Sequence, residues 1–525
     1  MNSFIVSLIP LLILLIIKIK KAFHMLQQNW YNKSNRYLKW INKNKNEVFF
    51  NYDLVFFLLV ILGMSIDMNI MVYLYCIAFS IVLYIYLSKK KKAKKPLVFT
   101  ARVKRLSITL LILYSIPCFL IFKNFNLDNL NLYYFIFILL VYLSFVIVYI
   151  TNIINKPVER MVFLHFKNMA LKKVKEMSSM EIIGVTGSYG KTSSKNIISS
   201  ILNVKYNAFP TPENYNTPYG IINTLNNYID KFNDYFVVEI SATKVGDIKD
   251  CTEIVRPKYA VITKIGEAHL ESFGSKKAIE DTKFEIIEAL PSDGLGILNG
   301  DDPIQMNHKI LNNVKIMTIG IDNENVDARA VNIKLSSNGT SFDVIFKNDK
   351  TKYHFESYLL GKNNIYNLLT GILLGKYLGI SIDQLKLGVK NVMPVPHRLE
   401  MKKHGNLYII DDAYNSNPEG SLMALEVLSM MPGKTIIVTP GMVDLGPLEY
   451  QANYEFGKNI AKNKIDEVIL VGEKQTLPIK KGLEDSKYKK VHVVEDIKDA
   501  FNLMSSMRDK ETYVLLENDL PDVFN

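Results

Sequence analysis

A β-branched run, Ile182–Val185, passes directly into Thr186-Gly187-Ser188-Tyr189-Gly190-Lys191-Thr192-Ser193 and then into a helical stretch ending near Leu202. No other feature of the 525 residues limits the fold as tightly. A strand feeding a glycine turn and then a helix that opens on Lys-Thr-Ser is the geometry that cradles phosphates. Gly187 and Gly190 let backbone N–H groups of Ser188 and its neighbours approach the oxygens. Lys191 bridges β- and γ-phosphates, the Thr192 hydroxyl takes Mg²⁺, and Ser193 opens the helix. Only Ser188 and Tyr189 separate the glycines, so the loop is shorter than GxxxxGK[ST]. It points to ATP and leaves the fate of the γ-phosphate open.

The text around this loop alternates short β-branched runs with helical stretches, the pattern of a parallel sheet covered on both faces. Strands are expected at Glu181–Val185, Tyr235–Ile240, Tyr259–Thr263 and Gly296–Leu298, a β-rich insert around Ala328–Leu360, and a helix over Asn364–Leu378. A second alternating block, at Leu407–Asp411, Lys434–Thr439, Glu467–Val471, Lys490–Val494 and Thr512–Leu516, predicts a smaller Rossmann-like domain. The expected α/β organisation is a multi-span helical membrane domain over 1–155, a linker helix over 156–179, a P-loop parallel-sheet ATPase domain over 180–395 and the smaller domain over 396–525.

The membrane expectation rests on apolar runs at Asn2–Ile17, Leu54–Ile66, Ile70–Leu87, Leu106–Phe122 and Leu132–Thr151. Most approach the roughly 20 residues that cross a bilayer, and the second is short. Lys18, Lys20 and Lys21 follow the first run instead of preceding it, which favours an uncleaved anchor over a signal peptide. The net charge of +12 splits unevenly: residues 1–160 carry 20 basic and 5 acidic side chains, and the remainder is nearly neutral. Basic residues cluster after the first run and over Lys89–Arg105, whereas the other two loops hold only Lys123. Five spans with both basic loops in the cytoplasm put the N-terminus outside and everything after Thr151 inside. The runs hold no paired charges, which argues for an anchor or lipid-facing platform over an ion pathway. With no basic stripe on the later domains, a nucleic-acid partner is excluded. Three cysteines, Cys76, Cys118 and Cys251, make neither a disulfide framework nor a metal-ligand spacing.

The short loop Gly187-Ser-Tyr-Gly-Lys-Thr192 resembles that of the Mur ligase family, and its serine is the form of members that add D-alanyl-D-alanine. Folylpolyglutamate synthases, a sister group, fit less well. The resemblance runs in register from Ile182 to Asn525. It implies an ATP-dependent carbon–nitrogen ligase of peptidoglycan synthesis that activates a carboxylate as an acyl-phosphate, with two Mg²⁺ ions. Glu239, ending Val238-Glu239-Ile240, matches the family's metal-binding glutamate. A carboxylate at a parallel strand's C-terminal end beside a phosphate loop also suits a cation on physical grounds. Ile265-Gly-Glu-Ala-His269-Leu-Glu is similar to NIGxAHLE, whose His binds the second metal. Thr282-Lys283-Phe-Glu285 matches the family's carbamylated lysine, a reaction that needs a desolvated amine of lowered pKa.

Tyr215-Asn216-Thr217-Pro218 is similar to the family's Asn-rich loop near the substrate. Asn364-Ile-Tyr-Asn367 resembles the HN..N motif around adenine, with Asn363 in place of His. Pro396-His397-Arg398-Leu-Glu400 resembles GRxE, with His397 in place of Gly, and implies Arg398 at the γ-phosphate. Asp411-Asp412-Ala-Tyr-Asn415-Ser-Asn417-Pro418 is close to DDxYNxNP and implies Asp412 at the ribose or metal, with Asn415 and Asn417 near the substrate.

Three departures separate the chemistry from the substrate. The apolar runs occupy the place of the domain with which family members grip a UDP-sugar. Thr439-Pro-Gly-Met-Val-Asp-Leu-Gly446 replaces LGDMxELG, and Asn453 stands where a His is expected. The leading expectation is a membrane-embedded ligase joining D-Ala-D-Ala to a muramoyl peptide. The alternatives are a Mur-type ligase with a lipid-linked or non-murein acceptor and, more distantly, an ATP-driven transporter or sensor, against which the missing LSGGQ-like signature counts. The sequence leaves the oligomeric state and the added amine open.

Overall fold

The computed structural model describes residues 2–65, 68–88, 96–266, 270–414, 417–443 and 445–519. They form two compact units, one built from the chain up to Leu164 and the other from His165 onward.

The second unit holds two sheets. The first contains β1 (Glu181–Thr186), β2 (Ala208–Pro210), β3 (Tyr235–Glu239), β4 (Tyr259–Ile262), β5 (Leu295–Asn299), β6 (Lys315–Gly320), β7 (Ala328–Ser336), β8 (Gly339–Phe346) and β9 (Tyr353–Ser357). Their order is β2-β3-β1-β4-β5-β6-β7-β8-β9, parallel as far as β7 and antiparallel across β7-β8-β9. β3, β4 and β5 are buried at every position, as strands covered by helices on both faces must be, and this is why they read as unbroken apolar runs. Along β8, Phe342, Val344 and Phe346 are buried while the residues between them are part-exposed, the alternation of an antiparallel strand with one dry face. Helix Lys362–Tyr377 is buried from Asn367 to Gly375 and packs on helix Lys191–Leu202, which brings Asn367 to the phosphate loop.

The second sheet contains β10 (Glu400–His404), β11 (Leu407–Asp412), β12 (Lys434–Thr439), β13 (Glu467–Val471), β14 (Val491–Val494) and β15 (Thr512–Glu517), in the order β10-β11-β15-β12-β13-β14. Only β10 is antiparallel. Three strands escape sequence reading. β2 is three residues long, β6 is mostly half-exposed, and β10 is a charged edge strand.

Among the described residues of the first unit three helices, Ser3–Gln28, Ile70–Ser88 and Ala101–Lys123, are long and apolar enough to cross a membrane. Five spans were expected, and the described residues give fewer candidates by length and composition. Leu54–Ser65 is too short, and Leu127–Tyr142 with Ser144–Ile154 forms a pair bent by 68°, giving three candidate spans or four if the pair is one. Only 17–28% of each long helix's apolar window is buried inside the protein, so the outward faces are apolar. The basic residues Lys89–Lys92, Lys94 and Lys95 lie outside the described residues.

The apolar runs hold no paired charges within their own bounds, but charges do pair just beyond them. The first helix continues past Ile17, so Lys18 lies within it, 2% exposed, and pairs with Asp53, 1% exposed. Arg105 meets Glu159 through two hydrogen bonds of 2.7 Å each. A charge removed from a buried pair leaves its partner desolvated, at a cost on the order of 3–5 kcal/mol. Lys18→Met is thus expected to lower the unfolding midpoint of the detergent-solubilised protein, and adding Asp53→Asn to restore most of the loss.

Candidate functional site

The phosphate loop sits at the C-terminal end of β1, between β3 and β4. A Cβ on Gly187 would lie 2.0 Å from Thr263 Oγ1, so only glycine lets the loop approach β4 this closely. Gly190, with φ +78°, turns the chain into helix Lys191–Leu202, whose N-terminus has no side-chain cap and leaves its first N–H groups available to an anion. The segment after β4 pins the loop: Ser188 N donates to Lys264 O (2.7 Å), Ser188 Oγ to Gly266 O (2.9 Å) and Thr263 Oγ1 to Tyr189 O (2.5 Å). Lys191 Nζ donates to the carbonyls of Gly187 (2.9 Å) and Ser188 (3.0 Å), folded back over its own loop. Thr192 and Ser193 are half-buried in the first turn.

Glu239 ends β3 and is 1% exposed. Its Oε1 accepts from Asn216 Nδ2 at 2.9 Å, while its buried Oε2 has no hydrogen-bond donor and faces Lys195 Nζ at 3.4 Å. A desolvated carboxylate oxygen without a donor suits a hard cation, and the Thr192 hydroxyl on the neighbouring loop adds a second oxygen of that kind. The donor chemistry therefore fits Mg²⁺. Thr217 caps helix Pro218–Asn227, its side chain accepting from Gly220 N at 3.4 Å, which helps to set the loop that carries Asn216.

Burial lowers the pKa of Lys191, with Glu239 offsetting and Arg398 adding to the fall. It lowers that of Lys195 too, offset by Glu239. Lys283, 3% exposed on helix Lys276–Glu288, is lowered to about 7 by burial and then by Lys191, against Asp247 and Glu285. A lysine this close to neutral has the free amine that carbamylation requires. His269 and Asn415 lie outside the described residues.

The later motifs converge on one cavity. Gly190, Ser193, Asn364, Asn367, Arg398, Asp412 and Asn417 all line it. Asn367 Oδ1 accepts from Ser194 Oγ at 2.7 Å, and its Nδ2 donates to Asn364 Oδ1 at 3.2 Å. Arg398 sits between His397 (φ +61°) and Leu399 (φ +49°), two non-glycine residues in the left-handed region. Leu399 N donates to Asp412 Oδ1 at 3.1 Å, which holds that turn against the end of β11. Burial lowers Arg398 below its ordinary range, offset by Asp412 and then Glu239. Asn417, expected near the substrate, caps helix Pro418–Ser429 through Gly420 N (2.8 Å).

Sequence reading missed a second cavity, on the other side of Tyr189, Gly190 and Asn363, lined by Thr263, Lys264, Asn299, Asp301 and Tyr366. The run Asn299-Gly-Asp-Asp302 at the end of β5 was the available signal, since polar residues at the C-terminal edge of a parallel sheet face its ligand crevice. It also missed Lys195. Where His was expected, Asn453 bonds Met442 in both directions, Met442 N–H to Oδ1 and Nδ2 to Met442 C=O, each 2.8 Å, and so fixes the backbone at Met442 after β12. Glu517, fully buried at the end of β15, accepts from Ser421 and Thr439, and burial raises it to about 7.

Residues 185–375 match the Mur ligase middle domain and residues 397–517 the Mur ligase glutamate ligase domain. The chain is 31% identical over 305 residues to the UDP-N-acetylmuramoyl-tripeptide–D-alanyl-D-alanine ligase of Escherichia coli, covering 57% of this chain and 66% of that protein. With the enzyme of the same name from Bacillus subtilis it shares 32% over 295 residues, 56% of this chain and 63% of that protein. The matched stretches thus span just under two thirds of these relatives' length. Among solved structures, MurF ligase from Thermotoga maritima in complex with ADP superposes with a TM-score of 0.61 at 25% identity, covering 68% of this chain and 80% of that one. MurF from Acinetobacter baumannii, at 24% identity and the same score, covers 68% and 77% and shares the fold.

Lys283 makes stability depend on pH in a stated direction. Between about pH 10.5 and 7 the unfolded chain binds a proton there that the folded chain does not. Folded stability therefore falls as the pH is lowered through that window and levels off below 7. Lys283→Met is expected to remove the dependence, so urea unfolding should show the variant gaining on the wild type as the pH drops.

Proposed function

We propose, from the premise that the chain belongs to the Mur ligase family by its middle and C-terminal domains, that it is an ATP-dependent carbon–nitrogen ligase of peptidoglycan precursor synthesis. Its reaction adds D-Ala-D-Ala to a muramoyl peptide, as the names of its Escherichia coli and Bacillus subtilis relatives suggest. One observation carries the reading. Ser193, Asn367, Arg398 and Asp412, from four separate segments, line a single cavity, and Arg398 lies within electrostatic range of Lys191 and Glu239.

In this reading the nucleotide phosphates lie over the Gly187–Ser193 turn, held by its N–H groups and by Lys191 once it releases its own carbonyls. The acceptor carboxylate attacks the γ-phosphorus, ADP leaves, and the amine then displaces phosphate from the acyl carbon. Arg398 brings a cation to the transferring group from the C-terminal domain. Asn364 and Asn367 orient the nucleotide, and Asp412 reaches its ribose or metal. Glu239, Thr192, His269 and carbamylated Lys283 would hold two Mg²⁺ ions, which spread the charge developing on the phosphoryl oxygens. Asn216 fixes Glu239 and lies where the acceptor enters, with Asn415 and Asn417 on the facing domain. Carbamylation of Lys283 forms an N–C bond to CO₂ with loss of one proton, turning a buried amine into an anion.

The apolar helices with outward-facing side chains favour a membrane-anchored protein whose catalytic domains lie in the cytoplasm, where ATP is supplied. The same helices favour a second reading, in which the acceptor is tethered to a membrane lipid.

Phosphate release by the detergent-solubilised full chain with ATP and Mg²⁺ tests both. Stimulation that needs D-Ala-D-Ala and UDP-muramoyl tripeptide together, and that Lys191→Ala lowers by roughly 10³-fold or more, is the expected result. ATP binding without such stimulation favours the lipid-linked acceptor, and hydrolysis without either substrate favours a transporter or sensor.

A further inference from the structure

Lys195 lies one helical turn beyond Lys191, on the same face of helix Lys191–Leu202, and is 1% exposed. Its ammonium reaches three groups on two other segments. It donates to Thr211 O at 2.8 Å and Glu213 O at 2.7 Å, and it faces Glu239 Oε2 at 3.4 Å. Thr211 is itself tied to β3, its N–H donating to Val237 O (3.0 Å) and its Oγ1 accepting from Glu239 N (3.1 Å). Glu213, which supplies the second carbonyl, adopts φ +42°, an unfavourable backbone for a residue with a Cβ and one that persists only where its surroundings hold it. Three residues on, Asn216 returns to Glu239 Oε1 at 2.9 Å. The loop from Thr211 to Asn216 therefore closes a ring around Glu239 whose fixed point is the Lys195 ammonium.

Within that ring the two oxygens of Glu239 are treated differently. Oε1 is committed to Asn216, whereas Oε2 has a charge beside it and no hydrogen bond. We propose that Lys195 is a positioning residue with two parts: it anchors the Thr211–Asn216 loop through the two carbonyls, and it serves as a stand-in cation for Glu239 Oε2, which it yields to a divalent ion. The inference rests on the reading of Glu239 as a metal ligand. It predicts that the fixed positive charge opposes metal entry while the anchored loop keeps the carboxylate aimed.

The test is Mn²⁺ binding to the nucleotide-free full chain in detergent, read by electron paramagnetic resonance, with amide hydrogen exchange over 211–217. Lys195→Gln keeps a donor for the carbonyls and removes the charge. It is expected to bind Mn²⁺ about tenfold more tightly than wild type, with exchange little changed, since one unit charge near a buried carboxylate is worth about 1 kcal/mol or more. Lys195→Met removes charge and donor together and is expected to speed exchange over the loop by at least about tenfold, the loss of two buried hydrogen bonds. Glu239→Gln should weaken Mn²⁺ binding in the wild-type and Lys195→Gln backgrounds alike. Unchanged or weaker Mn²⁺ binding in Lys195→Gln, with Glu239→Gln still weakening it, overturns the stand-in role and leaves the metal reading intact. Mn²⁺ binding indifferent to Glu239→Gln overturns both.

Discussion

The buried carboxylate of Glu239 lies at the end of a central parallel strand with Lys191, Lys195 and Arg398 all within range of its charge. Asp412 also offsets Arg398, and Asp247 and Glu285 face Lys283, whose amine burial and then the field of Lys191 hold near neutral. Charges gathered in a place that water barely reaches are costly unless each meets an opposite charge or a ligand. The fold tolerates this because the sheet around it is covered on both faces and rigid. The packing of β1, β3, β4 and the helices beside them stabilises the unit while these charged groups stay desolvated.

The second sheet supplies what the first lacks. Arg398 and Asp412 come from the turn that enters that sheet and from the end of β11, and the intervening backbone passes through two left-handed non-glycine residues, His397 and Leu399. Such conformations cost of order 1 kcal/mol or more each and survive only where neighbours over-determine them. Here the hydrogen bond from Leu399 N to Asp412 and the hydrogen bond between His397 Nδ1 and Asp411 (2.8 Å) do so. Lys264 and Glu419 add an ion pair between the segment that pins the phosphate loop and helix Pro418–Ser429. Arg398 thus sits where local strain and contacts from both sheets agree.

Much of this was legible from residue order. The α/β alternation was readable because parallel strands buried on both faces leave unbroken apolar runs, as at Phe236–Val238 and Ile436–Val438. The phosphate loop was readable because Gly187 and Gly190 are required by backbone geometry at those positions, whatever surrounds them. The short strand β2 and the charged edge strand β10 were not, since neither leaves a periodic signal. The apolar runs suggested more candidate spans than the described helices give, because an apolar run reports composition and not length or bend. Leu54–Ser65 is too short, and a 68° bend divides the last run. The pairing of Lys18 with Asp53 was hidden for a related reason, since a lysine at the end of an apolar run reads as a loop charge until the helix is seen to continue through it.

The amino-acid sequence by itself determined the identity of the chemical groups and the strand-to-helix turns that carry them, because those depend on local backbone preference and on residue type. Tertiary structure alone decided what each group faces. It gave Thr217 and Asn417 places as helix caps, tied Asn453 to Met442 in both directions, and left one oxygen of Glu239 without a donor beside Lys195. Such assignments depend on distances of a few ångströms between segments far apart in the chain. No local preference encodes those distances, which follow from how two whole sheets and their covering helices pack.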